Sequence, residues 1–333
     1  MKKLLLCLFV TMSLFSEEIS KNAKIFVAGH NGLVGRAICR KLSTLGYFNI
    51  ITKSSKELDL RDQKTVLEFF EREKPEYVFL SAAKVGGIIG NQQNPASFIY
   101  DNLMIQTNII HSSYLAGVKK LLFLGSSCIY PRMCSQPIKE EYLLTGPLEI
   151  TNYAYAIAKI AGLKMCKAYN TQYNTKFISC MPTNLYGPFD NYNLTSSHVI
   201  PALISKIYTA KLEGKESVEI WGTGRPKREF LHVDDLADAC IFLMDNYEES
   251  EVVNVGTGQD VSIKEVAYLI KEIIGYKGEF YFNTSKPDGT PRKLLDVSKI
   301  NDLGWSSKIE LKEGLKDAIQ WYLDNQQNEI LKK

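Results

Sequence analysis

Three glycines set three residues apart, directly behind a short apolar run, constrain this chain more than any other feature. The run is Lys24–Ala28; Gly29-His30-Asn31-Gly32-Leu33-Val34-Gly35 follows it and opens a helical stretch reaching about Leu45. Glycine admits a tight turn and close approach, and the first N–H groups of a helix lack intrahelical partners. A strand, turn and helix of this kind offer a pyrophosphate a site. The spacing is Gly-x-x-Gly-x-x-Gly rather than the commoner Gly-x-Gly-x-x-Gly, and by itself it also suits an ordinary strand-to-helix loop. Its place behind the first strand favours dinucleotide binding.

The same unit repeats. Strands are expected at Asn49–Lys53, Tyr77–Leu80, Lys120–Gly125 and Phe177–Met181, and helices at Gln63–Glu73, Pro95–Leu115 and Tyr153–Tyr173. Such alternation with short connections predicts an α/β fold, a Rossmann-like doubly wound parallel sheet with ligands at the carboxyl ends of its strands. After Pro188 the texture changes. Phe189–Ser197 reads as a loop, with Ser197 capping a helix from His198 to about Glu213. A strand at Val218–Trp221, basic turns at Gly222–Arg228 and Lys286–Lys293, and helices at Ser262–Ile274 and Leu311–Leu323 follow. Glu229–His232 and Glu251–Val255 read as strands returning to the main sheet. The expected division is a leader (1–21), a nucleotide-binding domain (22–188, with returning segments at about 229–257), a smaller C-terminal α/β substrate domain (189–228 and 258–325) and a tail (326–333).

Chemistry concentrates at Tyr155-Ala-Ile-Ala-Lys159. Residues four apart on a helix share a face. Tyr titrates near 10, and a Lys⁺ one turn away is expected to lower that value and make the phenol a usable acid or base. A ketone being reduced by hydride needs such a proton donor. The pair alone also fits an ordinary amphipathic helix. At the end of the second strand an NAD site would carry an acid for the ribose 2′-hydroxyl. Here Thr52-Lys53-Ser54-Ser55-Lys56 holds none, so Lys53 and Lys56 suit the 2′-phosphate of NADPH, with Asp59 and Leu60 near the adenine. Both lysines also fit a solvated surface.

Net charge narrows the partners. At +3 over 333 residues, without a long basic run, no nucleic acid is expected. Seven irregularly spaced cysteines with no Cys-x-x-Cys read as reduced thiols, neither a disulfide frame nor a metal site. Lys2-Lys3 and the apolar run Leu4–Phe15 resemble a signal peptide, but the run is shorter than the roughly 20 residues of a membrane span and no clear cleavage site follows. Translation starting at Met12 is the alternative. A cytoplasmic location is expected, export being the alternative if the leader works as a signal. Asn193-Leu-Thr195 and Asn283-Thr-Ser285 match glycosylation sequons, a pattern common by chance.

With Gly29–Gly35, Ser126 and Tyr155/Lys159 in order, the chain resembles the extended short-chain dehydrogenase/reductases. Ala83-Lys-Val-Gly-Gly87, Gly125-Ser-Ser-Cys-Ile-Tyr-Pro131, Met181-Pro-Thr-Asn-Leu-Tyr-Gly-Pro188, Ser197-His-Val-Ile-Pro201 and Lys286-Pro-Asp-Gly-Thr-Pro-Arg-Lys293 are similar to the GDP-L-fucose synthase family, over about residues 24 to 325. That resemblance implies a GDP-4-keto-6-deoxy-D-mannose 3,5-epimerase and NADPH-dependent 4-reductase. It implies a reductase triad of Ser126, Tyr155 and Lys159, with Cys128 and His198 in epimerisation. It places NADP along Gly29–Gly35, Gly125, Ser126, Ser127, Lys159, Pro182, Thr183, Asn184, Leu185 and His198, and the GDP-sugar on Lys206, Trp221, Arg228 and Asp288. A homodimer through the Pro95–Leu115 and Tyr153–Tyr173 helices is common in the superfamily. Asn31 stands where some relatives carry an Arg that helps hold the 2′-phosphate.

The residues suit that chemistry. A C4 ketone acidifies the hydrogens on C3 and C5, and inversion needs a base and an acid on opposite ring faces. A thiol and an imidazole titrate in the useful range. Read without the family, Cys128 also fits a packing thiol, His198 a surface helix start and Trp221 packing alone. A UDP-sugar 4-epimerase or 4,6-dehydratase uses the same triad, although dehydratases often carry an acid near the Ser, where this chain has Cys128. A non-catalytic NADP-binding regulator could dispense with Tyr155 or Lys159, and both are present.

Overall fold

In the first half, apolar runs and breakers generate β1 (Ile25–Ala28), α1 (Leu33–Thr44), β2 (Ile50–Ile51), α2 (Gln63–Glu73), β3 (Tyr77–Leu80), α3 (Ile88–Gln93), α4 (Pro95–Leu115), β4 (Lys120–Leu124), α5 (Tyr153–Tyr173) and β5 (Phe177–Pro182). Then come β6 (Asn184–Tyr186), α6 (Val199–Leu212), β7 (Ser217–Trp221), β8 (Lys227–His232), α7 (Val233–Asn246) and β9 (Val253–Val255). The chain continues through β10 (Asp260–Ser262), α8 (Ile263–Ile274), β11 (Glu279–Asn283), β12 (Arg292–Lys293), α9 (Ser298–Asp302) and α10 (Leu311–Ile330). The computed structural model describes residues 18–194, 197–286 and 288–330. Most of the expected leader, Thr195 of the first sequon and the end of the tail lie outside the described residues.

Six strands form one all-parallel sheet in the order β2-β1-β3-β4-β5-β9. Chain order reverses between β1 and β3, and at such a switch point the strand-end loops part to leave a crevice. Alternate strand residues serve opposite faces. Ile25 and Val27 join a core shared with α1 and α7, whereas Phe26 and Ala28 join another beneath α2, α4 and α5. Burial on both faces explains why these strands read as unbroken apolar runs. A third core gathers α6, α8, α10, β7 and β8. Here β8 pairs with β6, β10 and β12, and β7 pairs with β11.

Four details correct the sequence expectations. Of the two segments expected to return to the main sheet, β9 does so beside β5. The other, β8, forms the second sheet instead, because β6 offers its edge from Asn184 to Tyr186. Next, α7 was not foreseen: Val233, Leu236, Ala237, Cys240, Leu243 and Met244 are buried along with Ala239 and Ile241, so no single apolar stripe reveals the helix. Ser197 does not cap α6; His198 occupies the cap with extended backbone and no side-chain capping bond. Finally, the leader boundary at residue 21 falls too late. Ile19 is only 3% exposed inside the first core, and Lys21 Nζ lies 3.9 Å from the Tyr47 ring centroid.

Candidate active site

The loops at the ends of β1, β2, β3, β4 and β5 line one cavity of ≈ 1330 Å³, which continues to the start of α6 and the turn before β12. Glycine is required at its floor. Gly29 takes φ +88°, and a Cβ there would stand 2.6 Å from Ala82 N; a Cβ at Gly35 would stand 2.2 Å from Gly29 O. The helix must therefore seat directly on the turn. Gly32 caps α1 without a side chain, leaving the first-turn N–H groups free of a side-chain cap. His30, Asn31, Leu33 and Val34 complete this wall.

Beyond β2, Lys53 lines the cavity and lies 3.8 Å from Glu57, whose carboxylate accepts from Ser54 N at 2.8 Å and Ser54 Oγ at 2.6 Å. Lys56 is exposed and does not line the cavity. Asp59 and Leu60 do; Asp59 accepts two bonds from the Arg61 guanidinium, at 3.0 and 2.7 Å, and one from the Arg61 N–H at 3.0 Å, and Arg61 also reaches Asp101 at 3.2 Å.

At the tip of β4, Ser126 Oγ accepts the Cys128 N–H at 3.4 Å, and Ser126 lines the same cavity as Tyr155. α5 brings Lys159 below, where Nζ donates to Leu124 O at 2.7 Å and lies 5.8 Å from the Tyr155 ring centroid. The expected depression of the tyrosine pKa does not appear. Burial pushes Tyr155 well above its ordinary value and pushes Lys159 down to about 8, because both are removed from water. Tyr155 is thus held as a phenol. Gly125, Ser127, Pro182, Thr183, Asn184 and Leu185 close this wall.

Cys128 and His198 face the same space from separate segments. Burial pushes the Cys128 thiol up, and burial with the nearby Lys293 charge pushes His198 down. Both groups are therefore favoured uncharged, one carrying a transferable proton and the other a lone pair. Farther on, Arg228 and Asp288 line the cavity, and burial pushes Arg228 below its ordinary value with Asp288 opposing. Asp288 also accepts from Thr223 N at 2.6 Å and Thr223 Oγ1 at 2.8 Å, so it fastens the two basic turns together. Lys206 and Trp221 pack on one another, Nζ 4.8 Å from the ring, and do not line the cavity.

Sequence reasoning passed over Asn91, Asn152, Asp190 and Lys293, all cavity-lining. Three of them carry a buried oxygen without a partner: Asn91 Oδ1, Asn152 Oδ1 and Asp190 Oδ2; His30 Nδ1 is likewise unpartnered. Lys293 lay inside a motif already noted, and Asn152 stands three residues before Tyr155, so position was the available signal. Outside the cavity, the nearest thing to a metal cluster among the described residues is His232, Asp234 and Asp317. These groups hold one another and Arg40: His232 Nε2 lies 3.2 Å from Asp317, Asp234 N donates to His232 Nδ1, and Arg40 pairs with Asp234.

A crevice at the switch point of a parallel sheet, a glycine floor and a Tyr–Lys pair define a class of nucleotide-dependent enzymes. The chain belongs to the NAD dependent epimerase/dehydratase family, whose model matches residues 25–256. Within that family it is 60% identical over 307 residues to the putative GDP-L-fucose synthase 2 of Arabidopsis thaliana, covering 92% of this chain and 94% of that one. Among solved structures it resembles a GDP-L-fucose synthetase from Naegleria fowleri bound to NADP, with a TM-score of 0.89, 33% identity and coverage of 95% and 97%. It also resembles a GDP-mannoheptose C4 reductase from Campylobacter jejuni with NADP bound, with a TM-score of 0.85, 47% identity and coverage of 92% and 99%.

Proposed function

We propose that the chain converts GDP-4-keto-6-deoxy-D-mannose to GDP-L-fucose, by 3,5-epimerisation followed by NADPH-dependent reduction of the C4 ketone. The observation that carries this reading is a single cavity joining the glycine floor, Ser126, Tyr155 and Lys159, and the Cys128–His198 pair.

The floor fits a dinucleotide: added Cβ atoms would fill it, and His30 leaves a buried nitrogen unpartnered there. Gly29–Gly35, Gly125–Ser127, Lys159 and Pro182–Leu185 hold NADP in this reading, with Lys53 answering the 2′-phosphate. NADPH supplies the hydride when bound. Ser126 and Tyr155 hold the ketone oxygen, steadying the enolate while C3 and C5 invert. Cys128 and His198, reaching the ring from two segments, remove a proton from one face and return one to the other. Tyr155 then gives its proton to the C4 oxygen, which requires the un-ionised phenol that burial maintains. Arg228 offsets diphosphate charge and Asp288 shapes the nucleotide end, with Lys206 and Trp221 acting from outside the cavity lining.

A homodimer through α4 and α5 fits the exposed Tyr100, Leu115, Tyr153 and Tyr173 on those helices. The cytoplasm is the expected workplace, since it holds the family's NADPH and GDP-sugar pools. Among the described residues no helix is long and apolar enough to cross a membrane.

The test is incubation with GDP-4-keto-6-deoxy-D-mannose and NADPH, with product analysis. GDP-L-fucose is expected. A reduced sugar with unchanged C3 and C5 would reassign the chain to a C4 reductase, and no turnover would remove the reading.

A further inference from the structure

One of the unpartnered buried atoms on the cavity wall belongs to a carboxyl group. Asp190 Oδ1 accepts the Asn191 N–H at 2.7 Å, whereas Oδ2 is enclosed and has no partner. Its neighbours hold it there. Phe189 takes φ +69°, in the left-handed region, and its ring lies 4.9 Å from Trp321 of α10. On α1, the Arg36 and Arg40 guanidinium carbons lie 4.7 and 5.4 Å from that ring. On the other side, Tyr192 donates to Ala318 O at 3.1 Å and stacks on Tyr322 at 4.5 Å.

The charged groups around this segment are engaged elsewhere. Arg36 donates to Asn31 O at 3.0 Å, Arg40 pairs with Asp234, and Asp317 of α10 lies against His232. Tyr192 is held un-ionised by burial, with Asp190 and Asp317 adding to the effect. His30, Lys159 and His198 line the same cavity. Burial pushes the Asp190 carboxyl up to about 7, opposed only by the Asn191 N–H. Through its neighbour Phe189, whose ring meets Arg36, the Asp190 segment is joined to Asn31 of the glycine floor.

We propose that Asp190 acts as a carboxylic acid, donating its Oδ2 proton to an acceptor oxygen of the dinucleotide seated on the glycine floor, so that cofactor binding takes up a proton. The proposal rests on the NADP reading of that floor. An ionised carboxylate would repel the anionic ligand and leave its own oxygen unpaired, whereas the acid relieves both penalties. The sign follows. A group that titrates near 7 when free and higher when bound takes up a proton on binding above pH 7. Affinity then falls as pH rises, by at most about tenfold per pH unit.

Calorimetry of NADPH binding at pH 8, in two buffers of different ionisation enthalpy, measures this directly. The 2′-phosphate, with a second pKa of about 6, is already ionised there. The wild-type protein is expected to take up most of one proton, and Asp190→Asn to bind NADPH without that uptake. GDP alone should cause none; uptake with GDP and not NADPH would overturn the assignment to the dinucleotide. NADPH binding without proton uptake by the wild type would overturn the proposal alone, and that measurement needs no variant to fold. No NADPH binding at all would remove the cofactor reading and the proposal with it.

Discussion

The two walls of the cavity are assembled in different ways. The glycine floor and the Ser126 wall come from loops at the ends of successive strands in one parallel sheet. Each loop is a short run of sequence, and the sheet fixes its place. The opposite wall is gathered from His198 at the start of α6, Arg228 on β8, and Asp288 and Lys293 around β12. Arg228 and Lys293 meet because β8 and β12 pair, with Lys293 opposite Arg228, and α6 brings His198 in from a third segment. One wall is a property of local motifs, the other of a long-range pairing. Damage to either should therefore be separable from the other.

The largest expected effect lies where the walls meet. Tyr155→Phe removes the proton donor and should slow reduction by about 10² or more, with NADPH binding nearly unchanged. Lys159→Ala should be at least as harmful, because Leu124 O also loses its donor. Single-turnover NADPH oxidation beside an NADPH titration measures the separation. Weak effects of both variants would remove the reductase assignment.

The next contrast takes one residue from each wall, Cys128 beside Ser126 and His198 at the start of α6. Cys128→Ser and His198→Asn should each lose most solvent-deuterium entry into C3 and C5 of the keto-sugar, measured without NADPH. Serine is a far weaker acid than a thiol, and Asn cannot titrate as His does. Cys128→Ser should still oxidise NADPH, leaving a sugar of altered stereochemistry. Wild-type exchange in both variants would return Cys128 to a packing role.

The same contrast explains what could be read in advance. Helices Gln63–Glu73, Pro95–Leu115 and Tyr153–Tyr173, and strand Tyr77–Leu80, lie where their apolar pattern and breakers place them. The strand-end loops carry recognisable spacing, and their residues share one cavity. What escaped depended on partners distant in sequence. α7 is buried on several sides, β8 found a β6 edge that no local pattern announces, and β11 (Glu279–Asn283) needed β7 as its partner. Local charge reasoning failed at Tyr155 for a related cause. Spacing shows that Lys159 is one turn away, but not that its ammonium is bonded to Leu124 O or that both groups are dry.

A smaller effect concerns the base of the first wall. Ile19 packs into the core shared by β1 and α1. Relative to a chain beginning at Glu18, one beginning at Ser20 forfeits roughly 1.5–3 kcal/mol of burial, lowering Tm by several degrees. Both should keep the full turnover rate well below Tm. Equal Tm values would show that Ile19 contributes no packing energy.

The smallest effect separates two lysines that sequence treats alike. Lys53 and Lys56 both follow β2, and both suit a 2′-phosphate on charge alone. Only Lys53 lines the cavity, partly buried and 3.8 Å from Glu57. Glu57 is engaged with Ser54, which lowers its pKa and keeps it ionised, so part of the Lys53 charge is already answered. The remaining attraction for a phosphate at this half-exposed site is about 1 kcal/mol, or roughly fivefold in affinity. Lys53→Ala should therefore lower kcat/KM for NADPH about fivefold and leave NADH nearly unchanged. Lys56→Ala should change either by less than about twofold, since an exposed charge is screened within a Debye length of about 8 Å at physiological salt. Equal losses from the two variants would mean that general surface charge sets the preference, and a wild-type preference for NADH would overturn the NADPH assignment itself.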